Sequence, residues 1–224
     1  MRIVSTTALC FVLLGVARLW SQAPDSPKLP VLCREDFEQG ADRWSPTDPK
    51  AWKIVKSERG NVYSQFQASK YSPPHRSPLN IALLKDVSAS DFVLEARLQS
   101  TVKDYGHRDM CLFFGYRDPV HFYYVHLGKQ TDDHANQIFI VNDAPRKKIS
   151  TKTSPGTNWD DAWHQVKIVR RTADGAIEVY FDDMKTPVMT ATDKTFTSGR
   201  IGVGSFDDTG NWDDVTLSGT RVTD

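Results

Sequence analysis

Glutamate is scarce in this 224-residue chain: only Glu35, Glu38, Glu58, Glu95 and Glu178 occur. Net charge is missing too, with 28 lysines and arginines against 28 aspartates and glutamates. Such a balance leaves no broad cationic face, which argues against nucleic acid and anionic membranes as partners. Cysteine is rare, three in all, and that excludes a disulfide-dense scaffold. After residue 23 no apolar run is long enough to cross a bilayer, and no stretch sustains a helical period.

The N-terminus reads as a secretory leader over residues 1–23. Met1 and Arg2 give a basic start, Thr7 to Val16 is mostly apolar, and small residues stand at Ala17 and Ala23 as alternative cleavage points. The competing reading is an uncleaved anchor. Cleavage leaves no stable membrane span and places the chain outside the cell, in a periplasm or at a cell surface. Loss of Arg2 and Arg18 leaves 26 basic against 28 acidic residues. Residues 24–30 form a proline-rich tether, 31–219 a single domain and 220–224 a short tail. Cys10 leaves with the leader. Cys33 and Cys111 remain, either as a disulfide or as two buried thiols.

From Val31 onward, short strand-like runs recur about every dozen residues with turn signals between them, a cadence that predicts an all-β sandwich or barrel. Asn80–Leu84 and Phe92–Gln99 read as separate strands. Arg171 to Gly175 reads as a hairpin loop, with Gly175 free to take positive φ. Ser72 to Pro78 holds three prolines and reads as a surface loop.

The most informative stretch runs from Tyr105 to Asn142. Met110–Tyr116, His121–Leu127 and Asn136–Val141 read as three strands of an up-down-up meander. The start of the first, the end of the second and the start of the third then lie side by side. This brings His107, Arg108 and Asp109 close to His126, and both groups close to Asp132, Asp133, His134 and Gln137. Imidazoles that titrate near neutral pH suit proton transfer, with His126 or His107 as acid or base beside Asp109 and Arg108 stabilising charge. Imidazole beside carboxylate also suits zinc or a similar ion, although the spacing matches no standard zinc motif. The competing reading is a set of solvated, turn-capping side chains.

Period-two alternation puts Phe122, Tyr124 and His126 on one face of the second strand and Tyr123 on the other. If the Tyr124 face looks outward, it forms an aromatic platform with Gln137 and Phe139 on which sugar rings would stack, His134 and Asp133 adding hydrogen bonds. Trp159, beside Asp160 and Asp161 in a loop, is a further candidate for stacking. A second acidic group joins the chain ends: Glu35, Asp36 and Glu38 early, Asp207, Asp208, Asp213 and Asp214 late. Paired first and last strands would let Glu35, Asp36, Asp213 and Asp214 hold a structural calcium ion; turn-forming aspartates are the alternative.

In order, LFFGYRDPVHFYYVHL (Leu112 to Leu127), AWHQVKIVR (Ala162 to Arg170), IEVYFDD (Ile177 to Asp183), SGRIGVGSF (Ser198 to Phe206) and WDDVTLSG (Trp212 to Gly219) resemble the closing half of laminin-G-like and concanavalin-A-like domains. The resemblance implies a two-sheet antiparallel jelly-roll sandwich. It is nearest to small exported domains grouped with 3-keto-disaccharide hydrolases, and it implies an oligosaccharide or polysaccharide partner. The E-x-D-x-x-E strand of laminarinase-like glycosidases has no counterpart among the five glutamates. Three functions follow: a glycan-binding module first, then a sugar-active hydrolase or lyase, then a structural adhesion domain.

Overall fold

A computed structural model describes residues 29–223. The leader expected over residues 1–23, most of the tether and the last residue lie outside the described residues. In chain order the strands are β1 (Val31–Glu35), β2 (Trp44–Pro46), β3 (Trp52–Ser57), β4 (Gly60–Gln65), β5 (Asn80–Ser100), β6 (Asp109–Asp118), β7 (His121–Gly128) and β8 (Gln137–Asn142). They continue with β9 (Lys147–Lys148), β10 (Ser150–Thr153), β11 (His164–Arg171), β12 (Ala176–Phe181), β13 (Met189–Thr192), β14 (Gly199–Ser205) and β15 (Gly210–Val222). One 3-10 turn, Pro49–Ala51, is capped by the Asp48 carboxylate.

Every pairing is antiparallel. The layers are joined through β5, which the sequence had suggested as two strands. It is one element of 21 residues, turning at Asp86, whose φ is 54°. Its first half pairs with β14 and β2, and through β14 carries β6, β7, β8 and β9. Its second half lies between β11 and β15, and so joins β12, β13 and β10 on one side and β1, β4 and β3 on the other. The paired chain ends expected from the sequence are present, with Glu35 opposite Val215. Gly175 has φ 80° in the β11–β12 hairpin, a conformation open to glycine without a Cβ clash.

Two apolar clusters flank the β6–β7–β8 meander. The larger fills the space between the layers, where Leu112, Phe114, Tyr123 and Val125 meet Val166, Ile168, Val179 and Trp212. The smaller lies on the opposite face: Ile81, Leu83, Phe113, Phe122, Tyr124, Phe139 and Val141, with Tyr71 packed onto it. Both faces of the meander are therefore buried, which explains why its strands read as near-continuous apolar runs. Tyr71 belongs to the strandless segment between β4 and β5, anchored by Lys70 N–H to the Asp48 carboxylate (2.8 Å) and by its Arg76 carbonyl to Arg146 N–H (3.0 Å).

Cys33 belongs to the larger cluster and Cys111 to the smaller, and both are buried free thiols. The disulfide reading is thereby replaced by the thiol one. Burial pushes the Cys33 thiol up to about 11 and raises that of Cys111 as well.

Candidate functional site

The meander register builds the site. Asp109 pairs with Gly128, Cys111 with His126, and His126 with Gln137. Asp109 and Cys111, two residues apart, share a face of β6 with the His126 face of β7. His126 Nε2 lies 3.1 Å from Asp109 Oδ2. That oxygen accepts from the Phe206 N–H (2.8 Å) and the Cys111 thiol (3.5 Å). The Asp109 N–H donates to Asp208 Oδ2 (2.8 Å), and the Tyr105 hydroxyl donates to Asp208 Oδ1 (2.7 Å).

The turn from β14 to β15 thus brings Phe206, Asp207 and Asp208 against the meander end. The sequence grouping had set both aspartates with the chain-end acids. Burial, and then the negative charge of Asp109, push Asp208 up to about 6 and raise Asp207. Burial likewise raises the Tyr105 hydroxyl, with Asp208 adding to the shift.

A cavity of 360 Å³ opens over this group, lined by Arg76, Tyr105, His107, Asp109, His126, Asp132, His134, Ala135, Arg146, Phe206 and Asp207. A larger hollow of 570 Å³, between Lys85, Arg200 and Arg221, lies at the other end of β14 and holds none of the imidazoles. His126 is 5% exposed, at the cavity floor. His107 is 67% exposed on the rim, its Nδ1 3.9 Å from Asp132 Oδ2. Asp132 also caps the following loop, accepting from the N–H groups of His134 and Ala135, and these bonds hold its carboxyl below the ordinary range against a desolvation that alone would raise it. Gln137 is buried and donates to the Asp132 carbonyl (2.8 Å). Asp133 stands outside the cavity, paired with Lys148.

Arg146 was not anticipated. It follows β8 in a short turn, so the chain folds back and lays its guanidinium 4.7 Å from the Phe139 ring centre and 4.2 Å from that of Phe206. Its Nη1 donates to the Tyr124 hydroxyl (2.9 Å). The only hint in the sequence is Pro145, which marks the turn without showing where the next side chain points.

Three expected roles are corrected. Arg108 is 1% exposed and turned away from the cavity, because it neighbours Asp109 and successive strand residues face opposite ways. It donates to Ser100 Oγ and Ser100 O (both 2.9 Å) and to Asp161 (2.8 Å). Tyr124 shares a face with Phe122, His126, Gln137 and Phe139 as expected, but it has no exposed surface. It lies between Phe113 and Phe139, at 6.0 and 5.1 Å between ring centres, so it is no open platform. Trp159 is also core: buried, edge-on to His164 and Phe181, its Nε1–H donating to the Leu127 carbonyl (2.7 Å). Of the four acids proposed for calcium, Glu35, Asp36 and Asp214 line one hollow of 240 Å³, and Asp213 lies outside that lining. Glu35 pairs with Arg43 (2.5 Å), Asp213 with Arg59 (3.1 Å), and Asp214 with Arg59 (2.6 Å) and Arg97 (3.3 Å). Asp36 accepts from the Glu38 N–H.

No protein-family profile and no curated protein sequence matches this chain. Solved structures do share its fold. The carbohydrate-binding module CBM66 from Bacillus subtilis is 16% identical with a TM-score of 0.57, the match covering 79% of this chain and 95% of the module. Domain 4 of the extracellular arabinanase AbnA from Geobacillus stearothermophilus, solved with arabinotriose, is 11% identical with a TM-score of 0.56, over 88% and 95% of the two chains. The winged bean acidic lectin, solved with methyl-α-D-galactose, is 11% identical with a TM-score of 0.54, over 85% and 98%. The class is therefore an all-β sandwich of the lectin type, and at these identities the likeness is one of fold.

Proposed function

We propose that this chain is an exported glycan-binding module, and that an oligosaccharide or a polysaccharide end enters the cavity at the meander end. The observation that carries the reading is this polar cavity, set on a sandwich of the lectin type. Its volume of 360 Å³ sits at the low end of the range for small-ligand sites, about 300–1,000 Å³. Arg76, Arg146 and the rim histidines offer donors to sugar hydroxyls, and the Tyr105 oxygen, whose proton is given to Asp208, offers an acceptor. Asp207 and Asp132 offer acceptors, and the Phe206 ring supplies an apolar wall. In this reading Tyr124 supports Arg146 from below and does not touch the sugar.

A second reading, a sugar-active hydrolase or lyase, is favoured by one observation: a nearly buried imidazole 3.1 Å from a buried carboxylate. His126 would move the proton and Asp109 would orient it. One experiment tests both. The purified mature chain is titrated against an oligosaccharide panel that includes 3-keto-glycosides, with product detection by mass spectrometry in parallel. The binding reading expects saturable binding without turnover, weakened by His107→Ala and Asp207→Asn at unchanged melting temperature. Turnover abolished by His126→Gln establishes the enzyme instead. No interaction with any panel member refutes both.

A further inference from the structure

The two acidic groups of this molecule differ in one respect. At the chain ends Glu35, Asp213 and Asp214 each meet an arginine. At the meander end the carboxylates of Asp109, Asp207 and Asp208 converge to within 4.8 Å of one another. Among the described residues no lysine or arginine lies within ion-pair distance of any of the three; the only such contact is His126 with Asp109. Arg146, a guanidinium lining the cavity, lowers Asp207 through its charge but is directed to the Tyr124 hydroxyl and to two aromatic rings. Buried negative charge left without a counter-charge is costly.

His126 supplies an independent observation. It is 5% exposed, and its Nδ1 is sealed without a hydrogen-bond partner. Its Nε2 sits 3.1 Å from Asp109 Oδ2, yet among the described residues it makes no hydrogen bond along the ring N–H direction. Zinc holds imidazole nitrogen and carboxylate oxygen at about 2.0–2.2 Å, so two such ligands on one ion stand about 2.9–3.4 Å apart, depending on coordination number. The observed separation falls in that interval. Asp109 is itself fixed from behind by the Phe206 N–H and the Cys111 thiol, as outer contacts fix a metal-ligating carboxylate.

We infer that Asp109 and His126 hold one zinc-like divalent cation on the floor of the cavity, and that Asp207, whose carboxylate is gathered with that of Asp109 but not with the imidazole, moves in from its exposed turn as the third ligand. One imidazole with carboxylates selects zinc over calcium, which takes oxygen ligands almost exclusively. Asp208 stands behind the site, holding the Asp109 backbone and the Tyr105 hydroxyl in place. Three protein ligands leave a position open toward the cavity, where a pair of sugar hydroxyls would enter; this last step rests on the glycan reading above.

The test is calorimetric titration of the EDTA-stripped, dialysed mature chain with Zn²⁺, Mn²⁺ and Ca²⁺, followed by the oligosaccharide panel with and without Zn²⁺. One Zn²⁺ per chain is expected, with Ca²⁺ much weaker. His126→Gln should abolish Zn²⁺ binding, and Asp207→Asn, on an exposed turn where folding is not at risk, should weaken it at least about tenfold. Asp214→Asn should leave it unchanged. Absence of Zn²⁺ binding, or binding indifferent to His126→Gln and Asp207→Asn, overturns the inference. Zinc binding without any sugar response upholds the metal site and removes the glycan reading. Sugar binding by a chain that takes no zinc does the reverse.

Discussion

Tyr124→Ala decides whether the second face of the meander is an open platform or a core. An exposed ring removed from a surface changes stability by no more than about 0.5 kcal/mol. Tyr124 has no exposed surface and stacks on Phe139 at 5.1 Å with an interplanar angle of 17°. Deleting a buried aromatic ring costs about 3–5 kcal/mol through lost transfer energy and the cavity left behind. The hydroxyl bond to Arg146 adds about 1 kcal/mol. Tyr124→Phe isolates that second part, since the ring stays and only the acceptor of the Arg146 Nη1–H is lost. With a urea m-value of about 2 kcal/mol/M for a domain of this size, Tyr124→Ala should lower the unfolding midpoint by about 2–3 M and Tyr124→Phe by about 0.5 M. The assay is equilibrium urea unfolding followed by far-UV circular dichroism and tryptophan fluorescence. A Tyr124→Ala midpoint within about 0.3 M of wild type would refute the buried placement, and with it the covering of this face by the Tyr71 segment.

Trp159→Phe keeps a ring in the core but loses the Nε1–H bond to the Leu127 carbonyl; an urea titration should show a loss of about 1 kcal/mol, plus a smaller packing term. Cys33 and Cys111 are free and buried, so thiol reagent should label neither in the folded mature chain and both after unfolding. A chain that yields no thiols when unfolded without reductant contradicts this. His121 is raised by its bond to Asp118 and then by Asp143. Its stabilising contribution should be complete below the unfolded value of about 6.5 and vanish as pH rises through the raised folded value. Asp118→Asn should flatten that part of the stability–pH profile, and a profile identical to wild type between neutral and mildly alkaline pH would exclude the linkage. Arg108→Ala releases Asp161, already exposed, but leaves the buried Ser100 Oγ and carbonyl without their donor, and should cost about 1–3 kcal/mol in thermal unfolding.

The strand cadence and the period-two alternation were sufficient to place most elements and to sort the second meander strand into two faces. Tyr123 indeed faces the inter-sheet core and Tyr124 the other side. What alternation cannot reveal is whether a face is covered. The cover comes from the segment around Tyr71, which has no period and whose prolines announce only a loop. For the same reason Trp159, in a polar stretch, read as exposed although its indole reaches the Leu127 carbonyl. Arg108 was misplaced by proximity in sequence: its neighbour Asp109 faces the cavity, and one residue is enough to reverse the direction. Asp207 and Asp208 were grouped by their nearness to Asp213 and Asp214, yet β14 and β15 diverge there, and the turn between them belongs to the meander end.

Charge matching separates the two acidic groups more clearly than density does. Both are rich in aspartate, and both lie where strands end. At the chain ends, arginines from β4's approach and from β5 meet the carboxylates at 2.6–3.3 Å, and such a network needs nothing further to be satisfied. At the meander end the carboxylates meet backbone N–H groups, a tyrosine hydroxyl, a thiol and the His126 imidazole, with no lysine or arginine in ion-pair contact among the described residues. Local rules that a fold otherwise obeys tend to be broken where it binds or reacts. The broken rule here is the pairing of buried charge at Asp109 and Asp208, and Asp109 lines the cavity that also holds three histidines. The same argument demotes the Lys85, Arg200 and Arg221 hollow despite its larger volume. Lys85 and Arg221 already donate to backbone carbonyls of Asp42 and Asp86, and the Arg200 guanidinium lies over the Tyr116 ring.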